Sequence, residues 1–199
     1  MKIILFACLL FLASILTFGT IVDLGQGANN ISVNNISVSG TFSPSGKMGD
    51  IDAITITSWT GNPHSRLTCI KLIYSPKFDD SARSKWAGIY WQYPANNWGD
   101  NPKGYNLTGA KNLTFWARGD RGGEMAEFKV GGITGQYPDS IEIPLTTGVI
   151  VLSENWTKYT IDLTGQNLSH VIGGFCWVTN EDQNPVGSTI YLDDIYYMY

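Results

Sequence analysis

Apolar and polar residues alternate along most of the chain beyond residue 50 with the two-residue period of β-strands. In NLTFWAR (112–118), Leu113 and Phe115 fall on one side of an extended strand, and Trp116 and Arg118 fall on the other. No window of helical length shows a convincing 3.6-residue apolar period. The pattern predicts strands at 51–58, 67–75, 86–93, 112–118, 125–131, 149–152, 157–163, 171–179 and 188–197.

Segments rich in glycine, proline, asparagine and aspartate separate these strands, as in PANNWGDNPKG (94–104) and GDRGG (119–123). We interpret the second of these as a hairpin turn. Many short strands joined by turns predict an all-β fold, a two-sheet antiparallel β-sandwich of the jelly-roll kind. One face of each sheet is then core, and we expect Phe115, Phe128 and Ile161 to lie there.

The N-terminal region has a different pattern. Lys2 precedes an uncharged, mostly apolar run at 3–22, which is typical of a secretory leader. Because about 20 apolar residues also span a bilayer, an uncleaved anchor is the alternative. We therefore predict a helical signal peptide or signal anchor at 1–27, a flexible polar spacer at 28–47, and a folded domain at 48–199. The protein is expected to be secreted or on the cell surface, with membrane contact only through an uncleaved leader.

Net charge, cysteines and histidines limit what the domain can bind and how it is stabilised. The chain has 13 basic and 17 acidic side chains, a net charge of −4, and no basic run, which argues against nucleic-acid binding. Cys69 and Cys176 follow the leader, and they form either a disulfide or two separately buried thiols. His64 and His170 lie in polar turns and are interpreted as surface residues without catalytic or metal-binding partners.

Asn-x-Ser/Thr triplets recur along the chain and are candidate glycan acceptors if it enters a glycosylating pathway. A chain rich in asparagine, serine and threonine also produces such triplets by chance. Asn112 begins a strand, where a glycan requires an outward side chain. The other candidates are Asn30, Asn35, Asn106, Asn155 and Asn167.

The segment WAGIYWQY (86–93) carries the clearest candidate chemistry. Alternation places Ile89 and Trp91 in the core and leaves Tyr90 and Gln92 on the open face of the sheet. An aromatic ring stacks on the C–H face of a sugar while a nearby amide bonds its hydroxyl groups. The pattern therefore predicts a carbohydrate-binding surface.

The predicted surface extends over several strands. Trp98, in the following loop, is either a plug beneath that loop or an exposed platform for a sugar. Arg118 and Glu127 would face each other across two strands, where they either orient sugar hydroxyls or form an ordinary ion pair. The open face is accordingly a ligand groove or a solvated or partner-packed sheet. The full candidate set is Tyr90, Gln92, Trp98, Trp116, Arg118, Glu127 and Trp177.

Several motifs carry a resemblance to known proteins. The segments at 110–132 (AKNLTFWARGDRGGEMAEFKVGG), 154–165 (ENWTKYTIDLTG) and 190–197 (IYLDDIYY) are similar to jelly-roll, galactose-binding-like carbohydrate-binding modules of secreted and cell-surface proteins. The resemblance covers roughly 48–199 and implies the same fold. It also implies a structural Ca²⁺ held by residues matching Asp50 and Asp193, with Asp52 as the alternative to Asp50.

Catalytic motifs are missing from the sequence. It lacks the E-x-D-x-E arrangement of sandwich hydrolases, a G-x-S-x-G elbow, a histidine-rich metal motif and a phosphate loop. The sequence therefore predicts a non-catalytic domain that binds a polysaccharide or glycan. The alternative is a structural surface protein, such as a sheath, filament or adhesion subunit, that uses the same sandwich for self-association.

Overall fold

The computed structural model describes residues 35–76 and 84–199, and these form an antiparallel β-sandwich. A short helix, α1, spans Val38–Thr41, and a single 3₁₀ turn spans Ile51–Ala53. The strands are β1 (Ile36–Ser37), β2 (Ser43–Gly49), β3 (Ile54–Trp59), β4 (Cys69–Tyr74), β5 (Trp86–Gln92), β6 (Asn112–Gly119), β7 (Met125–Val130), β8 (Leu145–Val151), β9 (Thr157–Asp162), β10 (Gly173–Asn180) and β11 (Ser188–Met198).

The strands are arranged in two sheets. The A sheet has the order β3-β4-β11-β6-β9, with β1 also paired to β11, and the B sheet has the order β2-β5-β10-β7-β8. All ladders are antiparallel. This arrangement confirms the predicted all-β sandwich. The predicted leader lies outside the described residues, and no helix within them is long and apolar enough to cross a membrane.

The core forms between the sheets from one side of each strand, as alternation predicts. Phe115 of the A sheet and Phe128 of the B sheet are fully buried, with ring centroids 4.6 Å apart. Ile161, Ile89 and Trp91 are buried in the same cluster. These five side chains confirm the predicted inward faces of β5, β6, β7 and β9.

The segment predicted to be part of the spacer belongs to the domain from Ile36 onward. Val38 and Phe42 are buried in the core, and β2 pairs with β5 from Ser43 to Gly49. The prediction of a flexible spacer up to residue 47 is therefore wrong for 36–47. An edge strand needs only one neighbour, so β2 folds on backbone pairing although its sequence, SPSGKMG, lacks apolar alternation.

We expect Gly174→Ala to lower the free energy of unfolding by about 1–3 kcal/mol, the usual cost of overpacking a core. A Cβ at Gly174 would lie 2.5 Å from the ring of Phe42, which is buried in the core. Gly40→Ala is the matched control, because its Cβ would meet nothing closer than 3.7 Å. Chemical denaturation of both variants checks this, and equal stability would place Phe42 outside the packed core.

Residues 120–124 carry the chain from one sheet to the other. The predicted hairpin there is wrong, because β6 belongs to the A sheet and β7 to the B sheet. Gly122 and Gly123 both have positive φ (78° and 94°), which lets the chain turn between the layers. The consecutive strands β6 and β7 therefore lie in different sheets. For this reason the candidate residues on β6 and those on β7 lie on opposite faces of the sandwich.

Candidate functional site

The predicted carbohydrate-binding residues are divided between three environments. Tyr90 and Glu127 lie on the outer face of the B sheet, called the B face below, and Trp98 lies in a loop beside Tyr90. Trp116 and Arg118 lie on the outer face of the A sheet, on the opposite side of the sandwich. The predicted single surface holding Tyr90 together with Trp116 is therefore wrong.

Trp116 and Arg118 are covered by their surroundings. The ring of His64 stacks on Trp116 with centroids 3.8 Å apart, and the guanidinium of Arg118 lies 3.9 Å from the ring centroid of Tyr191. His64, predicted to be a surface residue, is half-buried and hydrogen-bonds the Asp194 carboxylate through Nδ1 at 2.8 Å. These contacts build a packed aromatic layer rather than an open surface.

Glu127 has a different partner from the one predicted. Its Oε2 lies 3.1 Å from Nζ of Lys129, two residues along β7, and its Oε1 accepts a hydrogen bond from the Thr146 hydroxyl at 2.6 Å. The predicted pair with Arg118 is wrong because the two residues belong to different sheets. Glu127 and Lys129 are half-buried, so a charge pair with usable hydrogen-bonding capacity remains on the B face.

Two predicted residues are sealed from solvent. Trp177 is fully buried between the sheets, because its strand, β10, is central and turns this side chain inward. Gln92 is on the expected outer side but is fully buried: its amide donates to Asn97 O at 2.8 Å, and its Oε1 accepts from Ser45 Oγ at 2.9 Å. Neither can contact a ligand without local rearrangement, so both predictions of direct binding are corrected.

Trp98 is the exposed aromatic of the predicted set. It has 43% of its surface exposed and meets Tyr90 edge to face, with centroids 6.1 Å apart. Tyr90 is itself mostly covered, and its hydroxyl donates to Gly131 O at 2.9 Å. This exposure contradicts the interpretation of Trp98 as a plug beneath the loop, and Tyr90 supports the ring from one side.

The loop that presents Trp98 is held by a side-chain network centred on Asn97. This buried amide donates to Lys103 O at 2.9 Å and accepts from the backbone N–H of Gly99 at 3.0 Å. Gly99 has a positive φ of 87°, and a Cβ there would lie 2.1 Å from Thr134 O. Only glycine allows this approach, so the loop is locked against its neighbour at 131–140.

The second loop is anchored by Asp139, which the sequence analysis missed. This carboxylate is almost completely buried and accepts hydrogen bonds from the backbone N–H groups of Ile133, Ile172 and Gly173. Burial raises the pKa of Asp139, and the backbone donors oppose that shift. His170 joins the two loops, since its ring nitrogens lie 3.0 Å from Pro138 O and 3.2 Å from Pro102 O.

The B face extends from Trp98 to a second exposed tryptophan. Trp86 starts β5 and is 41% exposed, and Tyr90 follows it four positions along the strand, or about 13 Å at the usual rise. Gly88 lies between them, flanked by Met48 and Val178, and a Cβ there would lie 3.0 Å from a backbone oxygen. Because Gly88 has no side chain, the surface of the B face between Trp86 and Tyr90 is recessed.

The structure places the two predicted calcium ligands at different sheets. The backbone N–H of Asp50 bonds Trp86 O at the edge of the B sheet, whereas Asp193 lies in the middle of β11 in the A sheet. The Asp193 carboxylate accepts the backbone N–H groups of His64 and Ser65. Within 35–76 and 84–199, no group of three or more acidic, histidine or cysteine side chains could hold a metal. Calcium therefore stays a prediction from resemblance alone.

The structure also shows the environment of the two cysteines. Cys69 and Cys176 are free, buried thiols on different sheets, so the disulfide alternative is not realised. Burial raises the pKa of both thiols.

Asn30 lies outside the described residues, and Asn112 is half-buried. The remaining candidate acceptors have exposed side chains: Asn35, Asn106, Asn155 and Asn167.

Comparison with solved structures places this architecture among known proteins. A family 30 carbohydrate-binding module superposes with a TM-score of 0.56 at 14% identity, covering 82% of this chain and 98% of that one. The chain has the fold of these modules. A family 30 module of a cellulosomal cellulase from Clostridium thermocellum gives a TM-score of 0.52 at 15% identity, covering 78% of this chain and 91% of the module.

A third similar structure is the family 11 carbohydrate-binding module from Clostridium thermocellum, solved with a β-1,3-1,4-mixed-linked tetrasaccharide. It matches with a TM-score of 0.53 at 11% identity, over 82% of this chain and 94% of the module. No family model matches the sequence, and no curated protein matches it. At these identities the likeness establishes the carbohydrate-binding-module fold and not the ligand.

Proposed function

We propose that this protein binds a polysaccharide or glycan on the B face and does not cleave it. The observation that carries the proposal is the exposed ring of Trp98, held edge to face against Tyr90 by two locked loops. An aromatic ring fixed at a surface stacks on the C–H face of a sugar without losing much side-chain entropy. The shared fold of known carbohydrate-binding modules supports the proposal.

Polar groups on the same face would orient the sugar. The Glu127 carboxylate accepts hydrogen bonds and the Lys129 ammonium donates them, and the two lie 3.1 Å apart. Such a pair can engage neighbouring hydroxyl groups on one ring. Trp86 lies about 13 Å from Tyr90 along β5, which suits a ligand longer than one sugar unit.

The non-catalytic part of the proposal follows from the carboxylates near Trp98. Glycoside hydrolysis requires two carboxyl groups on either side of the scissile bond. Asp100, in the same loop as Trp98, is exposed and accepts the backbone N–H of that residue. Glu127 is held by Lys129 and Thr146, and Asp139 is buried under three backbone donors. Because Asp139 is sealed and Glu127 is engaged by a cation, Asp100 has no second free carboxylate to act with among these three. The predicted leader and the exposed acceptor asparagines support a location outside the cell.

Affinity electrophoresis of the full chain tests the proposal, with separate gels containing neutral β-glucan, xylan, mannan or pectin. We expect retardation in at least one polysaccharide and no release of reducing ends from it. An array of isolated glycans extends the test to branched and terminal sugars. Unchanged mobility in every gel together with an empty array would contradict carbohydrate binding. Reducing-end release would instead indicate an enzyme.

Self-assembly remains a second candidate, and one feature of the B sheet favours it. Strand β8 is the edge of that sheet and contains no charged residue, and Val149 and Val151 on it are 47% and 61% exposed. Uncharged, apolar edge strands pair readily with other chains. Light scattering across a concentration series tests this, since a rise in mass that Val151→Lys abolishes supports assembly and a constant monomer mass excludes it.

A further inference from the structure

A slot of about 480 Å³ opens between the sheets at the junction of β1, β3, β4 and β11. It is lined on one side by residues of the A sheet, such as Ile56 and Ile70, and on the other by Pro44 and Trp91. Neither Trp98 nor Glu127 lines it, so it is separate from the B face. Its volume is in the range of small-ligand sites, and nothing in the function proposed above uses it.

The slot exists because β11 changes its neighbour. On one edge β11 pairs with β4 as far as Leu192↔Ile70, and it pairs with β1 from Tyr196↔Ser37 onward. The intervening residues 193–195 have no ladder partner on that edge among the described strands. Asp194 has a positive φ of 48°, and the pairing with β6 also shifts register there. The interruption leaves the space between the sheets open to solvent.

The floor of the slot is core surface that the B sheet does not cover. Ile54 and Leu72 face the interior of the sandwich and are buried, as expected for inward positions. Ile56, Ser58 and Ile70 point to the same side, yet the two isoleucines are only half-buried and Ser58 is exposed. The slot therefore presents apolar side chains to water, which favours a ligand with an apolar face.

The carboxylates at the mouth of the slot already accept hydrogen bonds. The Asp194 carboxylate contacts His64 Nδ1 at 2.8 Å and accepts from Ser65 Oγ at 2.7 Å. Asp193 accepts backbone N–H groups, and Arg66 donates to the Tyr196 hydroxyl at 3.0 Å. An anionic ligand would meet the carboxylates of Asp193 and Asp194, and a cationic ligand would meet the guanidinium of Arg66, whose hydrogen bond to a neutral hydroxyl leaves its charge uncompensated. This mixed charge at the mouth favours a neutral ligand.

Free hydroxyl groups surround the slot. The side-chain hydroxyls of Ser37, Ser39, Ser58 and Thr68 line it, and none of them makes a hydrogen bond with another described residue. Each can both donate and accept. Apolar floor and hydroxyl rim together match a ring that has an apolar face and hydroxyl groups around its edge.

We propose that this slot binds a neutral, hydroxylated ring of the size of one sugar unit. The C–H face of the ring packs on Ile56 and Ile70, and its hydroxyl groups bond the side chains of Ser37, Ser58 and Thr68. The source of the ring is either a free monosaccharide or the end unit of a longer chain. The proposal does not depend on polysaccharide binding at the B face, because the two places share no residue.

Titrations followed by backbone amide NMR of the full chain test the proposal. The probes are D-glucose, D-galactose, D-mannose and D-xylose, each alone, and a linear tetrasaccharide to represent a chain end. We expect saturable shift changes at the amides of Ser37, Ile70 and Asp194 with at least one probe. Glycerol, which has hydroxyl groups but no ring, is expected to cause no saturable change.

Two substitutions on β3 make the test specific. Ser58→Trp places an indole in the slot and should abolish the saturable shifts, whereas Thr55→Trp, on the outer side of the same strand, should leave them unchanged. Trp98→Ala should also leave them unchanged. No saturable shift at slot residues with any probe, retained binding in Ser58→Trp, or shifts confined to the surroundings of Trp98 would each overturn the proposal.

Discussion

Trp98→Ala is expected to weaken polysaccharide binding by about 30-fold or more, which corresponds to the loss of at least about 2 kcal/mol from an aromatic anchor. The ring is 43% exposed and braced by Tyr90, so its removal takes away the stacking platform while the sheet beneath stays folded. The free energy of unfolding should fall by only about 1 kcal/mol, the worth of one edge-to-face pair. Isothermal titration calorimetry with the polysaccharide retained in the gel assay measures the first effect, and chemical denaturation measures the second.

A matched control exists on the other side of the sandwich. Trp59 is 36% exposed and lies on the outer face of the A sheet, where Lys71 Nζ is 4.3 Å from its ring centroid. Trp59→Ala should leave binding unchanged, and Trp98→Phe, which keeps a smaller ring, should bind with intermediate affinity. Wild-type affinity in Trp98→Ala would remove the B face from the proposed function. A loss confined to Trp59→Ala would move the site to the A sheet.

Asp139→Ala is expected to lower the free energy of unfolding by about 3 kcal/mol or more. The substitution leaves the buried N–H groups of Ile133, Ile172 and Gly173 without their acceptor, and each unsatisfied group costs about 1–3 kcal/mol. Asp139→Asn keeps one acceptor oxygen and should lose less. Urea denaturation of both variants measures the order of stability.

Asp162→Ala is the control for this series. Its carboxylate is exposed and accepts one backbone N–H, from Thr164, so its removal should change stability by less than about 0.5 kcal/mol. Because Asp139 anchors the loop that Gly99 packs against, Asp139→Ala should also weaken polysaccharide binding. Equal stability of the Asp139 and Asp162 variants would show that the buried donors find other acceptors, and would contradict the anchoring role.

Predictions that depend on a single strand are confirmed. Ile89 and Trp91 are inside and Tyr90 is outside, as the alternation in WAGIYWQY requires. Predictions that depend on which strands share a sheet are wrong. The alternation within a strand shows which side chains share a face, but it does not show which sheet the strand joins. The split between Trp116 and Glu127 arises from this.

Asp139 and Gln92 show a second limit. Both are polar residues beside turns, where solvent exposure is the usual outcome. Each is buried because groups from distant segments converge on it: the backbone N–H of Ile172 comes from 33 residues beyond Asp139, and the hydroxyl of Ser45 comes from 47 residues before Gln92. Such convergence has no local signature, so no pattern within either segment could have revealed it.

The amino-acid order by itself determined the positions of most strands from β3 onward, the inward and outward sides of those strands and the all-β class, since these follow from local periodicity and turn chemistry. Tertiary structure alone decided which outward residues meet, that Trp98 is exposed above Tyr90, and that a gap opens where β11 changes partners. These features depend on contacts between distant segments, and their free energy comes from packing and hydrogen bonds formed only when the two sheets assemble.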